Sequence, residues 1–447
     1  MASSWGNDLI KLAAAGSVAG TLGFVIINPQ APSQYSERLA NAAPAVKAAT
    51  AERPCPVAGS ILDQGFAPLQ DVISVSPLGS VTAPGEALPA PFIRVNTKKG
   101  ATVFERRATM ALAPARAEIE AIERRVQRDS DGAATGLTWR VTMSVCDAVK
   151  LYYDDIDVLS PDLMRKAGGL AAFSEVSGPD RMAVKTSIRV QTGDTIGEAD
   201  GFDIGLEDSS LAPADLVRPE RYKSNPYVEA RVLNTDAGLI KAIDSDATLA
   251  RCPLDYLPTS EKTAWSALLG DQFGIRKVRT NKDPDACRQP IVDKPGTAQG
   301  AWFTDASQNG AANKVSAIAL APDSIDPQRL IFSLHGRLTS LTPGMVALPP
   351  KMTDAKAEAA KDFLSFYPGE RAGNPTFAGV EKGEIACFDR LRTNFVGPRI
   401  NGVILLQVDT TDEGAEIMRM EARGEATSCS ALESPWGFTT NHTVFYR

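Results

Sequence analysis

Histidine is nearly missing from this chain: among 447 residues only His335 and His442 occur. Imidazole is the commonest metal ligand and general base, so most His-built active sites are excluded before any motif is considered. Positive charge is not in excess either. With 47 Lys+Arg against 54 Asp+Glu the net charge is −7, which leaves no electrostatic footprint for nucleic acid. No two of the six cysteines lie within four residues of each other, so the Cys-x-x-Cys spacing of zinc and redox sites is lacking. There is no P-loop, no dinucleotide fingerprint and no Gly-x-Ser-x-Gly nucleophile elbow, which removes nucleotide use and a serine hydrolase. What is present is ordinary for a folded protein: 43% hydrophobic and 23% charged residues, with 35 Gly and 30 Pro for turns. The length suits about three domains at ~150 residues each.

Cys55, Cys146, Cys252, Cys287, Cys387 and Cys429 form an even set, either buried thiols or up to three disulfides in an oxidising compartment. The N-terminus favours disulfides. Leu12 to Ile27 is apolar or small throughout and follows the single cation Lys11. This reads as an export or anchor segment, near the upper length of a signal-peptide core and short of the ~20 residues of a full span; the alternatives are a retained anchor, a cleaved signal or a buried Ala/Gly-rich helix. Pro29, Pro32, Pro44, Pro54 and Pro56 then mark a linker. The expected organisation is 1–28 signal or anchor, 29–60 linker, 61–212 and 291–447 as two β domains, and 213–290 a partly helical connector. Pairing Cys55 with Cys146, Cys252 with Cys287 and Cys387 with Cys429 is the simplest scheme, because each domain then oxidises independently.

Fold class reads as mainly β. Leu137 to Val145 alternates apolar and polar residues over nine positions, the pattern of a half-buried strand. Ala115–Val126 is ambiguous, with periodicity slightly favouring helix. Ala230–Ile243 and Thr259–Leu269 are helix candidates, the second with Thr259 or Ser260 placed to cap it. Beyond Pro290 the strand candidates are Lys314–Leu320, Leu330–Leu334, Gly383–Phe388, Gly402–Val408, Glu416–Ala422 and Thr443–Tyr446, interrupted by a helix-like run at Ala355–Leu364. Gly296 and Gly300 suit a tight loop leading into Trp302 and Phe303, which would anchor a strand to a second core.

Four stretches of the first β region carry a resemblance. VQTGDTIG (Val190–Gly197) resembles the turn, and DIGLE (Asp203–Glu207) the final strand, of the lysostaphin-type peptidoglycan endopeptidases with their duplicated-hybrid-motif fold. VKLYYDDI (Val149–Ile156) is similar to that family's Tyr-x-His-Leu strand, and ALAP (Ala111–Pro114) to its entry strand. The resemblance implies that Ala117–Val126 is a strand, and that the fold comprises a duplicated-hybrid-motif sheet, a short helical connector and a second barrel- or sandwich-like β domain. From Cys252 to Tyr256 and from Pro295 to Phe303 the chain is similar to uncharacterised exported bacterial proteins pairing such a degenerate domain with a C-terminal β domain.

The family's zinc needs two His and an Asp, and the corresponding positions here are Asp155, Asp203 and Gly205, with Glu86 in the first-ligand region. No catalytic residue, no metal and no cofactor are therefore expected. The vestigial groove expected to line a ligand site consists of Glu86, Tyr153, Asp155 and Asp203, holding an amine-bearing or glycan ligand. The function expected is that of a non-catalytic exported envelope protein contacting peptidoglycan, another envelope glycan or an envelope protein, and the membrane through its N-terminal segment, without nucleic acid; the alternative is a cell-wall hydrolase with a non-histidine site. Asp154 and Asp155 are neighbours on a strand and are expected on opposite faces, unable to flank one bond as in a glycosidase. Asp129–Gly132 reads as a turn, since a calcium loop would need Glu where Arg140 stands. His335 reads as a turn-edge residue and His442, in a formal glycosylation sequon, as coincidence.

Overall fold

A computed structural model describes residues 53–56, 60–81, 89–98, 107–128, 132–176, 179–222, 239, 242–278, 287, 293–304, 306, 317–334, 363–369, 373–393 and 399–447. The fold is mainly β. The N-terminal apolar segment, Glu86, Asp129 and His335 lie outside these residues, as does most of Ala230–Ile243. Among the described residues no helix is long and apolar enough to cross a membrane.

The first half contributes strands β1 (Val72–Ser76), β2 (Ile93–Thr97), β3 (Thr109–Leu112), β4 (Ala117–Arg128), β5 (Ala134–Cys146), β6 (Val149–Ile156), β7 (Val158–Leu159), β8 (Ser174–Glu175), β9 (Arg181–Val190), β10 (Thr195–Ala199) and β11 (Gly201–Asp208), with β12 (Ala250–Arg251) following the connector. The large sheet runs β1-β2-β11-β6-β5-β4-β9-β8, with β12 on β11, and a small sheet runs β3-β10-β7. The ambiguous 115–126 stretch is strand β4. Ile119 and Ile122 both reach the core because the register slips between Ile119 and Ala121, and that bulge is what gives the stretch its helix-like spacing. Ile119, Ile122, Val141, Met143, Leu151, Tyr153, Ile204 and Leu206 line one continuous core between the sheets.

The helix α1 (Pro161–Lys166) and the helix α2 (Thr259–Ser266) are short. Pro258 precedes α2 and no side chain caps it, which corrects the expected Thr259 or Ser260 cap. Trp265 from α2 is fully buried, its indole filling the space that a Cβ at Gly65 would take. Leu239, Ala242 and Ile243, from the connector, pack on Ala121, Val176 and Ala183, and so cover the side of the large sheet that faces away from its core.

The second half contains β13 (Gly300–Phe303), β14 (Ala317–Pro322), β15 (Leu330–Ser333), β16 (Phe363–Phe366), β17 (Ile385–Phe388), β18 (Arg392–Thr393), β19 (Val403–Thr410), β20 (Glu416–Arg423) and β21 (Thr443–Tyr446). All nine form one sheet in the order β17-β19-β20-β21-β13-β14-β15-β16-β18. β16 and β17 stand near opposite ends of that order, yet Phe366 and Phe388 meet with ring centroids 5.4 Å apart and Phe332 lies 5.2 Å from Phe388. The sheet therefore curls around a single aromatic core. Phe363 and Leu364, expected at the end of a helix-like run, open β16 instead. Trp302 is fully buried, donating its indole N–H to Ala298 O at 3.0 Å, and Gly300, with φ +134°, leaves no room for a Cβ beside Asp293 and Arg447.

Three disulfides close as the sequential scheme expects: Cys55–Cys146, Cys252–Cys287 and Cys387–Cys429. They fit an oxidising, extracytoplasmic compartment. The two halves are joined by Arg276 on Asp323 (3.0 Å), by the Ser80 and Ser324 hydroxyls at 3.0 Å, and by Val81 packing on Ile331 and Phe363.

Candidate functional site

Strand alternation gives the large sheet a second, polar face. Across it run Glu123 of β4 paired with Arg140 of β5, and Asp154 of β6 paired with Asp203 of β11, which in turn pairs with Arg94 of β2; between Arg140 and Asp154 the register is broken by a bulge. Arg125 donates to Asp154 at 2.7 Å and to Glu123 at 2.9 Å, Arg181 reaches Glu123 at 2.6 Å, and Arg140 reaches Asp154 at 3.1 Å. Burial alone would raise the Asp154 carboxyl; Arg125, Arg140 and the Asp155 backbone N–H outweigh it and hold it below the ordinary range. Burial likewise opposes, and Arg125 and Arg181 overcome, ionisation of Glu123.

Beside this row the Tyr152 ring lies across Gly205 so closely that a Cβ there would overlap it, and the Arg140 guanidinium covers its face at 3.8 Å. Gly205 thus stands where the resemblance puts a second imidazole, and the ring of Tyr152 takes that space. Further along the face, Glu207 accepts the Asp246 backbone N–H at 3.0 Å and Lys150 donates to Asp244 O at 3.3 Å. Burial pushes the Glu207 carboxyl up to about 7 against the pull of Lys150 and Arg140. The connector is thereby fastened over the face.

Asp155 behaves differently from the expectation of opposite faces. The β5–β6 register gains an extra residue on β6 between Trp139↔Ile156 and Val141↔Tyr153, and Asp155 takes φ +59°, a left-handed conformation that aspartate tolerates better than most. The bulge lets Asp155 and Asp203 converge on one guanidinium. Arg94 Nη1 donates to Asp155 Oδ2 at 2.9 Å and to Asp203 Oδ1 at 2.8 Å. Asp203 first, then Asp155, stabilise the charged guanidinium and shift it further from neutrality, against the cost of burial.

Arg94 and Asp203 also line a cleft of about 300 Å³ together with Ser76, Pro77, Ser80, Ala90, Phe92 and Gln272. Asn96, two residues along β2 and so on the same face, donates to Ser76 Oγ at 3.1 Å. Thus Asp155 and Asp203 come together as a site, whereas Tyr153 does not join them. Tyr153 pairs with Ile204 on the core side, is fully buried against Phe202, and donates its hydroxyl to Leu112 O at 2.5 Å. Its expected place in the groove is corrected: the aromatic facing that way is its neighbour Tyr152. Arg94, Ser76, Ser80, Phe92 and Gln272 were missed by sequence reasoning; the one available signal was the alternation over Ile93–Thr97, which puts Arg94 and Asn96 on one face.

A zinc ion does not fit these residues. The two carboxylates are already bridged by a fixed monocation, whose charge opposes a dication at the same place, and among the described residues no imidazole stands beside them. Among the described residues no group of three His, Cys, Asp or Glu could hold a metal. No protein-family model, curated protein or solved structure matches this chain.

Proposed function

We propose that this is an exported bacterial envelope protein, tethered through its apolar N-terminal segment, in which a degenerate endopeptidase-like domain serves as a non-catalytic binding module for peptidoglycan or another envelope glycan. The observation that carries this reading is Arg94 bonded to both Asp155 and Asp203. In the resembled family those positions serve a metal; here a side chain supplies the positive charge permanently, and with it goes the means to activate water. Most of the polar face is covered by the connector, and the Arg94 end remains open as a cleft. A covered face with an open end suits retention of a ligand better than turnover. The three disulfides and the Pro-rich stretch after the apolar segment agree with a domain held outside the cytoplasm.

The test is to incubate the full chain, in mild detergent, with purified sacculi in the presence of EDTA or of Zn²⁺. The expected result is sedimentation of the protein with the sacculi, equal in both conditions, and no release of soluble fragments. Metal-dependent release would overturn the reading in favour of a cell-wall hydrolase, and absence from the pellet would overturn the binding role.

A further inference from the structure

The chemistry of the Arg94 cleft narrows what it can hold. Asp155 and Asp203 share one guanidinium nitrogen, so the trio carries one net negative charge. A phosphate or a free carboxylate would meet that charge, a divalent cation would meet Arg94, and an ammonium group would have to displace Arg94 from both partners. Each fully charged ligand is opposed by a group already in place. A neutral ligand rich in hydroxyls is not.

For such a ligand the cleft supplies directional bonds. Arg94 Nε and Nη2 make no hydrogen bond among the described residues, and 35% of the side chain is exposed. Ser76 Oγ accepts from Asn96, which leaves its own O–H to donate. Phe92, Pro77 and Ala90 give the apolar surface on which the face of a sugar ring packs. The volume is at the lower end for small-ligand pockets, enough for a short saccharide segment. The paired charges offer donors and acceptors together, and a ligand without net charge makes recognition depend little on ionic strength.

We infer that the cleft binds the neutral sugar backbone of an envelope polymer, not its charged peptide stems. This rests on the binding-module reading and deepens it by naming which part of the polymer is recognised.

The experiment uses two soluble probes on the full chain in mild detergent, followed by titration calorimetry. One is a β-1,4-linked tetramer of N-acetylglucosamine free of peptide, and the other a stem-like tetrapeptide with two carboxylates and one ammonium. The tetramer is expected to bind saturably, unaffected by EDTA and little affected by salt, and the tetrapeptide not to bind. Arg94→Ala should weaken tetramer binding by about tenfold or more, the loss expected for a charged donor. Phe92→Ala, which leaves the ion pairs intact, should weaken it several-fold and keeps the test valid where Arg94→Ala fails to fold. Binding of the tetrapeptide in place of the tetramer, or tetramer affinity unchanged in Phe92→Ala and in folded Arg94→Ala, would overturn the inference. Sedimentation with sacculi without tetramer binding would sink this inference alone, and tetramer binding without sedimentation would sink only the envelope role.

Discussion

In the first sheet the side turned away from the core carries Glu123, Arg140, Tyr152, Asp154 and Glu207 and is covered by the connector; in the second the inward side is Trp302, Phe332, Phe366 and Phe388, with Phe377 packed onto it from a turn. The second sheet keeps buried charge mostly beyond its strand ends, as with Asp323 after β14, Arg329 before β15, Asp389 after β17 and Arg447 after β21. Arg447, for example, donates to Gln299 O, Lys294 O and Thr297 O and lies over Trp302 at 4.1 Å. One half is held together by burying apolar surface once. The other also buries a polar face, where each charge depends on a specific partner and on pH. Buried ion pairs add little net stability but make the loss of one member costly, so the two halves should respond to mutation in different ways.

The largest effect is expected in the aromatic core. Phe332→Ala removes a ring that touches Phe366, Phe377 and Phe388 and should cost about 3–5 kcal/mol, at any pH, in denaturant unfolding. Next, Asp154→Ala strands Arg140 inside the first half and leaves Arg125 with Glu123 alone, and should cost about 3 kcal/mol, seen as earlier unfolding of that half by amide hydrogen exchange. An equal slope across both halves would show that they do not differ as described.

Glu207 sharpens the contrast through pH. Its carboxyl titrates near 7 in the folded chain against an ordinary 4.5, so the folded state holds a proton that the unfolded chain releases earlier. The stability it confers is complete below pH ~4.5 and is lost as pH rises through about 7, on the order of 3 kcal/mol. Glu207→Gln should flatten that fall between pH 5 and pH 8, in melts compared side by side with the parent; parallel curves would place the proton elsewhere. The smallest effect belongs to the second half: Arg390 sits at φ +53°, and Arg390→Gly should raise stability by about 0.5–1 kcal/mol in the same denaturant assay.

Strand positions were legible where apolar runs lay between turn residues, as in Glu416–Ala422 and Thr443–Tyr446, although neither strand alternates buried and exposed residues in the pattern of period two. The pattern misled where both faces are buried. In β5 Trp139 through Val141 are all buried, because the connector covers the Arg140 side, and no local sequence feature announces that cover. The site was half legible. Asp155 and Asp203 were singled out by the resemblance, but the cation between them comes from a strand 61 and 109 residues away. Nor could adjacency of Asp154 and Asp155 reveal the bulge that turns Asp155 toward its partner. The sequential disulfides follow the simplest pairing along the chain; only Cys387 and Cys429 are set apart by a core of their own, since the other four cysteines border one core.

β21 occupies the interior of the second sheet, between β20 and β13, and Tyr446 is the residue that meets Phe303. β13, the first strand of that half, is therefore joined to β20 through a strand that lies far along the chain from it. Until it arrives, β13 and β20 each present an open edge, and the joining contact has very large sequence separation, which slows folding. A chain cut short before Thr443 would offer both edges to its neighbours.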